Sequence, residues 1–554
     1  MTYDPEPRYA VSGGEVELGH APLVTEIARR GARVVALDGP AALPWQRIVE
    51  PLAGLLRAET VDVRRSMVPW SEVCRRTAAS ELPGDPVFAR LADGSLSDFF
   101  DELPPLPEHD GVTLVFGPGA ALVQHDLLWY ADTPKRVSLA AVRQGTAGNL
   151  GQPEGDAGSE QRLLFVDWPL QDRHKQALLP SLDRLVDVSE PARPRSLGGA
   201  PLRATLHDLA GRPFRTRPSF LPGPWGGQWL RRSLGIETDA PNLAWSYELI
   251  TPESGILLGD GTPVEIGFEL LMAQESVRVL GDDVAARFGL SFPIRFDYLD
   301  TLEGDHLSLQ CHPTTAYARE RFGLDYTQDE TYYVMRTTPG AKVFLGLRED
   351  AAAEAFRGDA ELAESAGVAF DPERHLETRP AEEHQLYLIP AGTPHASGAG
   401  NVVLEVSATP YLYTLRFYDW LRRDLEGDLR PVHLRHAFAN LDAGRSGAAV
   451  SELVPAPRSL REGPGWAEFE LSRHPDLFFA VHRLEFAEQM EDSTDGRFHV
   501  LNLVAGDEVQ VETAAGDVHR VSYAETIVVP AAVGPYRLRR VGGADCKVVK
   551  AFVP

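Results

Sequence analysis

The stretch LSLQCHP, residues 307–313, sets a glutamine and a histidine two positions apart on an apolar run. Alternate residues of a β-strand share a face, so Gln310 and His312 point one way and Cys311 the other. A carboxylate, Glu330, opens the apolar run in QDETYYVM, and a second histidine, His395, stands in the turn-and-strand segment IPAGTPHASGAG. Two imidazoles, a carboxylate and an amide oxygen make a mixed N/O donor set. Such a set suits Zn²⁺ or another borderline divalent ion and leaves coordination positions for a substrate. Taken singly, each residue has a plainer role: a histidine on an apolar strand is more often a satisfied core residue, and a glutamate before two tyrosines a solvated strand end. The combination is what points to one bound metal ion.

The surrounding segments resemble the type I phosphomannose isomerases, zinc enzymes on a cupin fold. LSLQCHP is similar to their Leu-Ser-x-Gln-x-His-Pro motif, and QDETYYVM with PGAKVFLGL to their glutamate strand and the turn after it. IPAGTPHASGAGNVVLEVS is similar to their Pro-Ala-Gly-Thr-x-His-Ala segment, and TLRFYDW to their Tyr-Arg-x-Tyr-Asp-Trp stretch. Upstream, PWGGQWL and AWSYELI resemble the family's opening segments, so the likeness runs in order over about residues 214–440. The resemblance implies Gln310, His312, Glu330 and His395 as metal ligands, with zinc as the cofactor. It implies Arg416 as the cation for a substrate phosphate or developing oxyanion, Ser308 as a phosphate contact, and Glu405 as a carboxylate near the pocket. Two positions depart from the family: Gln328 stands where a lysine is usual and Leu412 where an aspartate is common. For proton transfer, Glu405, Lys342, His384 and metal-bound water all stay open. The expected activity is aldose–ketose isomerisation of a sugar phosphate, mannose 6-phosphate to fructose 6-phosphate, through a cis-enediolate. The alternative is a metal-bound cupin that binds a sugar phosphate without turnover, as a sensor or regulatory protein.

The elements that must hold these residues fall into three regions. Over about 1–205, the apolar runs ARVVALDGP, GVTLVFGPG and RLLFVDWP (162–169) read as buried strands alternating with helices, which predicts a doubly wound α/β domain. It resembles a nucleoside-kinase-type fold. However, the loop after the first strand carries Pro44, Trp45 and Gln46 where a phosphate loop needs glycine, lysine and a hydroxyl. A proline-rich stretch, 189–201 and then 211–227, reads as a linker. Residues 206–440 then show short β-runs interrupted by one helical insertion, 349–366, and 441–554 repeat the β texture; these predict antiparallel sandwiches or barrels. The resemblance implies a cupin jelly-roll over 206–440 and a β-sandwich or cupin-like domain over 441–554.

Across 554 residues the net charge is −26, which argues against nucleic acid as a partner, since phosphate-backbone binding needs a basic face. A small sugar phosphate needs only one or two local cations. Cys74, Cys311 and Cys546 are far apart and odd in number, so reduced thiols and a cytoplasmic location are expected. No apolar run approaches the roughly 18 residues of a membrane span, and MTYDPEPRYA has no signal-peptide pattern. Oligomeric state is left open.

Overall fold

The computed structural model describes residues 3–250, 253–408, 411 and 413–554. In the N-terminal region, strands Glu59–Asp62, Thr113–Phe116, Val34–Asp38, Leu127–Asp132 and Arg184–Asp187 lie parallel in that order. Arg195–Gly198 and Glu17–Leu18 add antiparallel strands at one edge. Helices Ala21–Arg30 and Trp45–Leu56 bury Leu23, Ile27, Ile48 and Leu52 against one sheet face. Because both faces are covered, the central strands are apolar throughout rather than alternating.

Two segments depart from the sequence expectation. The run 162–169 is helical, Leu163–Asp167 continuing into Trp168–Leu178, with Leu163, Phe165 and Val166 buried. A short apolar run buried on all sides has no period to separate strand from helix. The proline-rich stretch is no linker at its C-terminal end: it forms strand Arg195–Gly198 and helix Gly199–Leu209, whose Pro201 lies in the first turn, where its missing N–H costs nothing. That helix packs on Phe268–Leu280 of the next region. At the other end of the chain, Arg8–Tyr9 pairs with Gly255–Leu258, so the first described residues belong to the middle region's structure.

Besides the three-stranded sheet of Arg8–Tyr9, Gly255–Leu258 and Val264–Gly267, the middle region is built from two facing sheets. One has six strands, in the order Leu386–Ile389, Glu330–Thr337, Asn401–Ser407, Arg295–Asp300, Trp245–Leu249 and Ser219–Leu221. The other has five: Leu376–Pro380, Lys342–Leu347, His395–Ser397, Leu309–Cys311 and Leu415–Tyr418. The helical insertion is Ala353–Ala366. Six further strands face four in the C-terminal region, with an apolar core including Leu484, Met490, Leu501 and Val511 between them. Among the described residues no helix is long and apolar enough to cross a membrane.

Candidate metal centre

Strand register decides which side chains meet. Gln310 lies directly opposite His395 on one neighbouring strand and Arg416 on the other. Directly opposed residues of antiparallel strands share a face, so these three project together into the space between the sheets, with His312 two residues on from Gln310. From the facing sheet Glu330 projects to meet them. Its Oε2 is 2.7 Å from His312 Nε2 and 2.9 Å from His395 Nε2, and the two imidazole centroids are 5.2 Å apart. The Gln310 side-chain amide reaches within 3.5 Å of His395 Nε2. All four are buried, His395 and Glu330 completely. Cys311 points to the other face, toward the Ala437 carbonyl, and burial pushes its thiol pKa up.

The donor set fits a divalent cation on two observations. His395 Nδ1 lies 2.8 Å from the Thr393 carbonyl, which can only accept, so Nδ1 carries the proton and Nε2 presents a lone pair. In that tautomer the lone pair and the Glu330 carboxylate oxygen face one another at 2.9 Å, an arrangement that a cation between them would satisfy. In addition, Glu330 Oε1 and His312 Nδ1 are buried without a hydrogen-bond partner, and burial holds His312 below the ordinary imidazole range, hence neutral and ligand-competent. Among the described residues His312, Glu330 and His395 are the group of histidine, cysteine and carboxylate side chains whose donor atoms converge, all lying within 4.8 Å of one another.

Behind the ligands lies a buried ionic cluster. Tyr332 and Asp297 stand directly opposite Glu405 on its two neighbouring strands, so the three share the inner face. Glu405 Oε1 accepts from Ser407 at 2.7 Å, from Arg295 at 3.1 Å and from the Gln328 amide at 3.2 Å. Burial raises the Glu405 pKa well above the carboxylate range; Arg295 opposes this, and Asp297 and Glu330 add to it. Gln328 therefore has a definite role as a neutral donor to Glu405.

Arg416 takes no ion-pair partner among the described residues; its Nη1 donates to the Pro431 carbonyl at 3.2 Å. The nearby carboxylate Asp419 is already engaged by Arg422 and, at 2.5 Å, by Arg430, whose Nη1 also donates to Ser308 Oγ at 3.0 Å. Burial, with Arg430 and Arg422 nearby and Asp419 opposing, lowers the Arg416 pKa to about 10. Asp305 also pairs with Arg422, at 3.5 Å, so three guanidinium groups against two carboxylates leave a local excess of positive charge in an acidic protein.

Other expected residues are not brought to this centre. Lys342 sits on the sheet face opposite to His395, since Val343 and Leu345 share the His395 side, and it pairs with Glu373. His384 hydrogen-bonds Tyr333 at 2.9 Å, on the outer side of the six-stranded sheet. Leu412 lies outside the described residues. Arg295 and Arg430 were not singled out by the sequence analysis. The alternation of Arg295 and Asp297 within the apolar run FPIRFDYLD was the available signal for the first.

The sequence family described as "Domain of unknown function (DUF8485)" matches residues 19–211. Over 284 residues the chain is 26% identical to mannose-6-phosphate isomerase of Streptococcus mutans serotype c (strain ATCC 700610 / UA159), covering 51% of this chain and 81% of that protein. It is 28% identical over 154 residues to mannose-6-phosphate isomerase ManA of Bacillus subtilis (strain 168), covering 27% of this chain and 44% of that protein. Part of this chain is thus similar to mannose-6-phosphate isomerases. The crystal structure of the mannose 6-phosphate isomerase from Bacillus subtilis superposes with a TM-score of 0.51 at 18% identity, over 61% of this chain and 99% of that one. The mannose-6-phosphate isomerase fold accordingly accounts for about three-fifths of the molecule, and the match to residues 19–211 falls within the α/β region.

Proposed function

We propose that the chain is a metal-dependent aldose–ketose isomerase of sugar phosphates, interconverting mannose 6-phosphate and fructose 6-phosphate. The observation that carries this reading is one row of side chains, His395, Gln310 and Arg416, with donors converging on Glu330 at one end and, at the other, a guanidinium that has no ion-pair partner among the described residues. Gln310, His312, Glu330 and His395 would hold the ion, zinc in this reading. When bound, the ion supplies Lewis-acid stabilisation of the oxyanion that develops as a proton leaves carbon next to a carbonyl. Arg416 and Arg430, with the Ser308 hydroxyl, bind the phosphate and fix the orientation of the sugar; a guanidinium fork matches phosphate oxygens in pairs. Glu405 is the buried carboxyl beside the ligands, and its Oε atoms are the proton carrier between C1 and C2. The buried setting excludes water, so a proton held there returns to substrate rather than exchanging with bulk solvent.

One observation favours a binding protein without turnover: Glu405 is tied by Gln328, Ser407 and Arg295, and Lys342 is turned away from the centre. An assay coupling fructose 6-phosphate formation to a dehydrogenase, run on metal-replete protein, separates the two. Turnover that is lost on chelation and restored by a divalent ion supports the isomerase. Saturable mannose 6-phosphate binding with no turnover would establish the second reading.

A further inference from the structure

A cavity of about 780 Å³ opens at one end of the C-terminal sandwich, far in sequence from the metal ligands. Its wall draws on both sheets: Glu468, Lys550, His499 and Phe552 from the six-stranded sheet, Asp492 and Tyr536 from the four-stranded one. The remainder of the sandwich interior is apolar. Buried charge at this end is therefore not needed to fill the fold, and apolar side chains of similar volume would stabilise it as well or better.

The polar groups form an ordered network. Lys550 Nζ is 2.8 Å from Glu468 and 2.7 Å from Asp492, and Glu468 also meets His482 Nδ1 at 2.7 Å. Tyr536 donates its hydroxyl proton to Asp492 at 3.0 Å and accepts from His499 Nδ1 at 2.8 Å. That tautomer leaves His499 Nε2 as an acceptor, and burial, reinforced by Lys550, keeps the ring neutral with a pKa of about 3. The place a cation would take between the two carboxylates is filled by the Lys550 ammonium. Four cationic side chains and five carboxylates line the cavity, so it lacks the excess positive charge found around Arg416. The Phe552 ring adds an apolar wall.

We propose that this cavity is a second ligand site, for a neutral polyhydroxylated compound, an unphosphorylated sugar or polyol. Fixed donors and acceptors interleaved around an aromatic surface match a ring or chain that carries hydroxyls on its edge and C–H groups on its face. The volume lies within the roughly 300–1,000 Å³ of small-molecule sites.

The test is saturation-transfer NMR and calorimetry on the full-length chain with D-mannose and with D-mannitol. Tyr536→Phe, which keeps the ring, and Glu468→Gln serve as cavity variants, and His395→Ala as a control at the metal centre. Melting curves confirm that each variant is folded. The expected result is saturable binding of at least one probe, unchanged in His395→Ala. Tyr536→Phe should weaken it a few-fold, as loss of one neutral hydrogen bond predicts, and Glu468→Gln about tenfold or more, where a charge-assisted one is lost. Three results would overturn the proposal: no saturable binding of either probe, binding abolished by His395→Ala but not by the cavity variants, or cavity occupancy by inorganic phosphate in preference to both.

Discussion

His312 and His395 each aim Nε2 at the same Glu330 oxygen, so removing either leaves the remaining buried polar groups short of a partner. His312→Ala and His395→Ala should each lose bound metal on elemental analysis and lose about 1–3 kcal/mol of stability from the unsatisfied groups left behind. Undiminished metal in both variants would remove the site. Arg416 tests the other end of the row. Arg416→Lys keeps the charge but not the fork, and should lower kcat/KM on mannose 6-phosphate ~10-fold; Arg416→Ala should lose more, with metal content intact in both. Because Asp419 is held by Arg422 and Arg430, a structural role for Arg416 would rest, among the described residues, on its bond to the Pro431 carbonyl rather than on a carboxylate. If both variants melt earlier yet keep full activity per folded molecule, the phosphate assignment falls. At this scale the sequence was informative where spacing constrains geometry. Gln310 and His312 had to share a face, and His395 had to follow its Pro-Gly turn. Arg295 and Arg430 were not legible, because a charged residue does not state which neighbour's carboxylate it will meet once the strands pair.

Between residue and whole molecule, helix Leu434–Asn440 and the strand bearing Arg416 are tied through His433. Its Nδ1 accepts the Arg416 backbone N–H at 3.1 Å, and its ring packs against Phe88 at 4.7 Å. Burial, with Arg416 adding, lowers the His433 pKa to about 3. The unfolded chain titrates this group near 6.5, so between about 6.5 and 3 the unfolded state binds the extra proton. Stability from neutral His433 is thus fully present above about pH 6.5 and is lost as pH falls, by about 1.4 kcal/mol per unit. His433→Gln removes the titration. The stability of the native protein relative to this variant should fall as pH drops from 7 to 5, measured by denaturant melts at each pH. A constant difference across that range would show that His433 is not the titrating group. The short strands and the helical insertion were readable at this level from period-2 alternation and turn residues. The run 162–169 and the C-terminal end of the 189–201 stretch were misread, because local apolarity and proline content do not reveal that Phe165 and Leu197 are enclosed by neighbouring elements.

In the whole molecule the α/β region is bound to the middle region by buried polar contacts as well as packing. Lys175 sits between Asp132 of its own region and Glu269 of the middle one, at 2.9 and 2.6 Å. Burial would discharge the ammonium, yet the two carboxylates hold its pKa well above the ordinary lysine value. Lys175→Ala strands both carboxylates and should cost about 3–5 kcal/mol, seen as a lower midpoint for the full chain. The same arrangement decides what the α/β region can bind. Ligands of such sheets enter at the carboxyl ends of the strands, where backbone N–H groups after the first strand would cradle phosphate. Here the carboxylate of Asp38 accepts from the N–H groups of Gly39 at 2.7 Å, Gly119 at 3.2 Å and Ala121 at 2.8 Å, while Ala41 N–H donates to Gln171. Trp45, at the position of the phosphate-loop lysine, is a core residue packed against Phe116. Pro44 has no N–H to offer, and Glu269 and Glu253 of the middle region line the crevice, where Lys175 is already held by Asp132 and Glu269. A triphosphate would therefore meet occupied donors and carboxylates rather than a cradle. Calorimetry with millimolar ATP and Mg²⁺ on the full chain should show no saturable heat. Saturable binding that disappears in Asp38→Ala would mean that the loop rearranges to expose its N–H groups, and that the closed crevice is only one of its states.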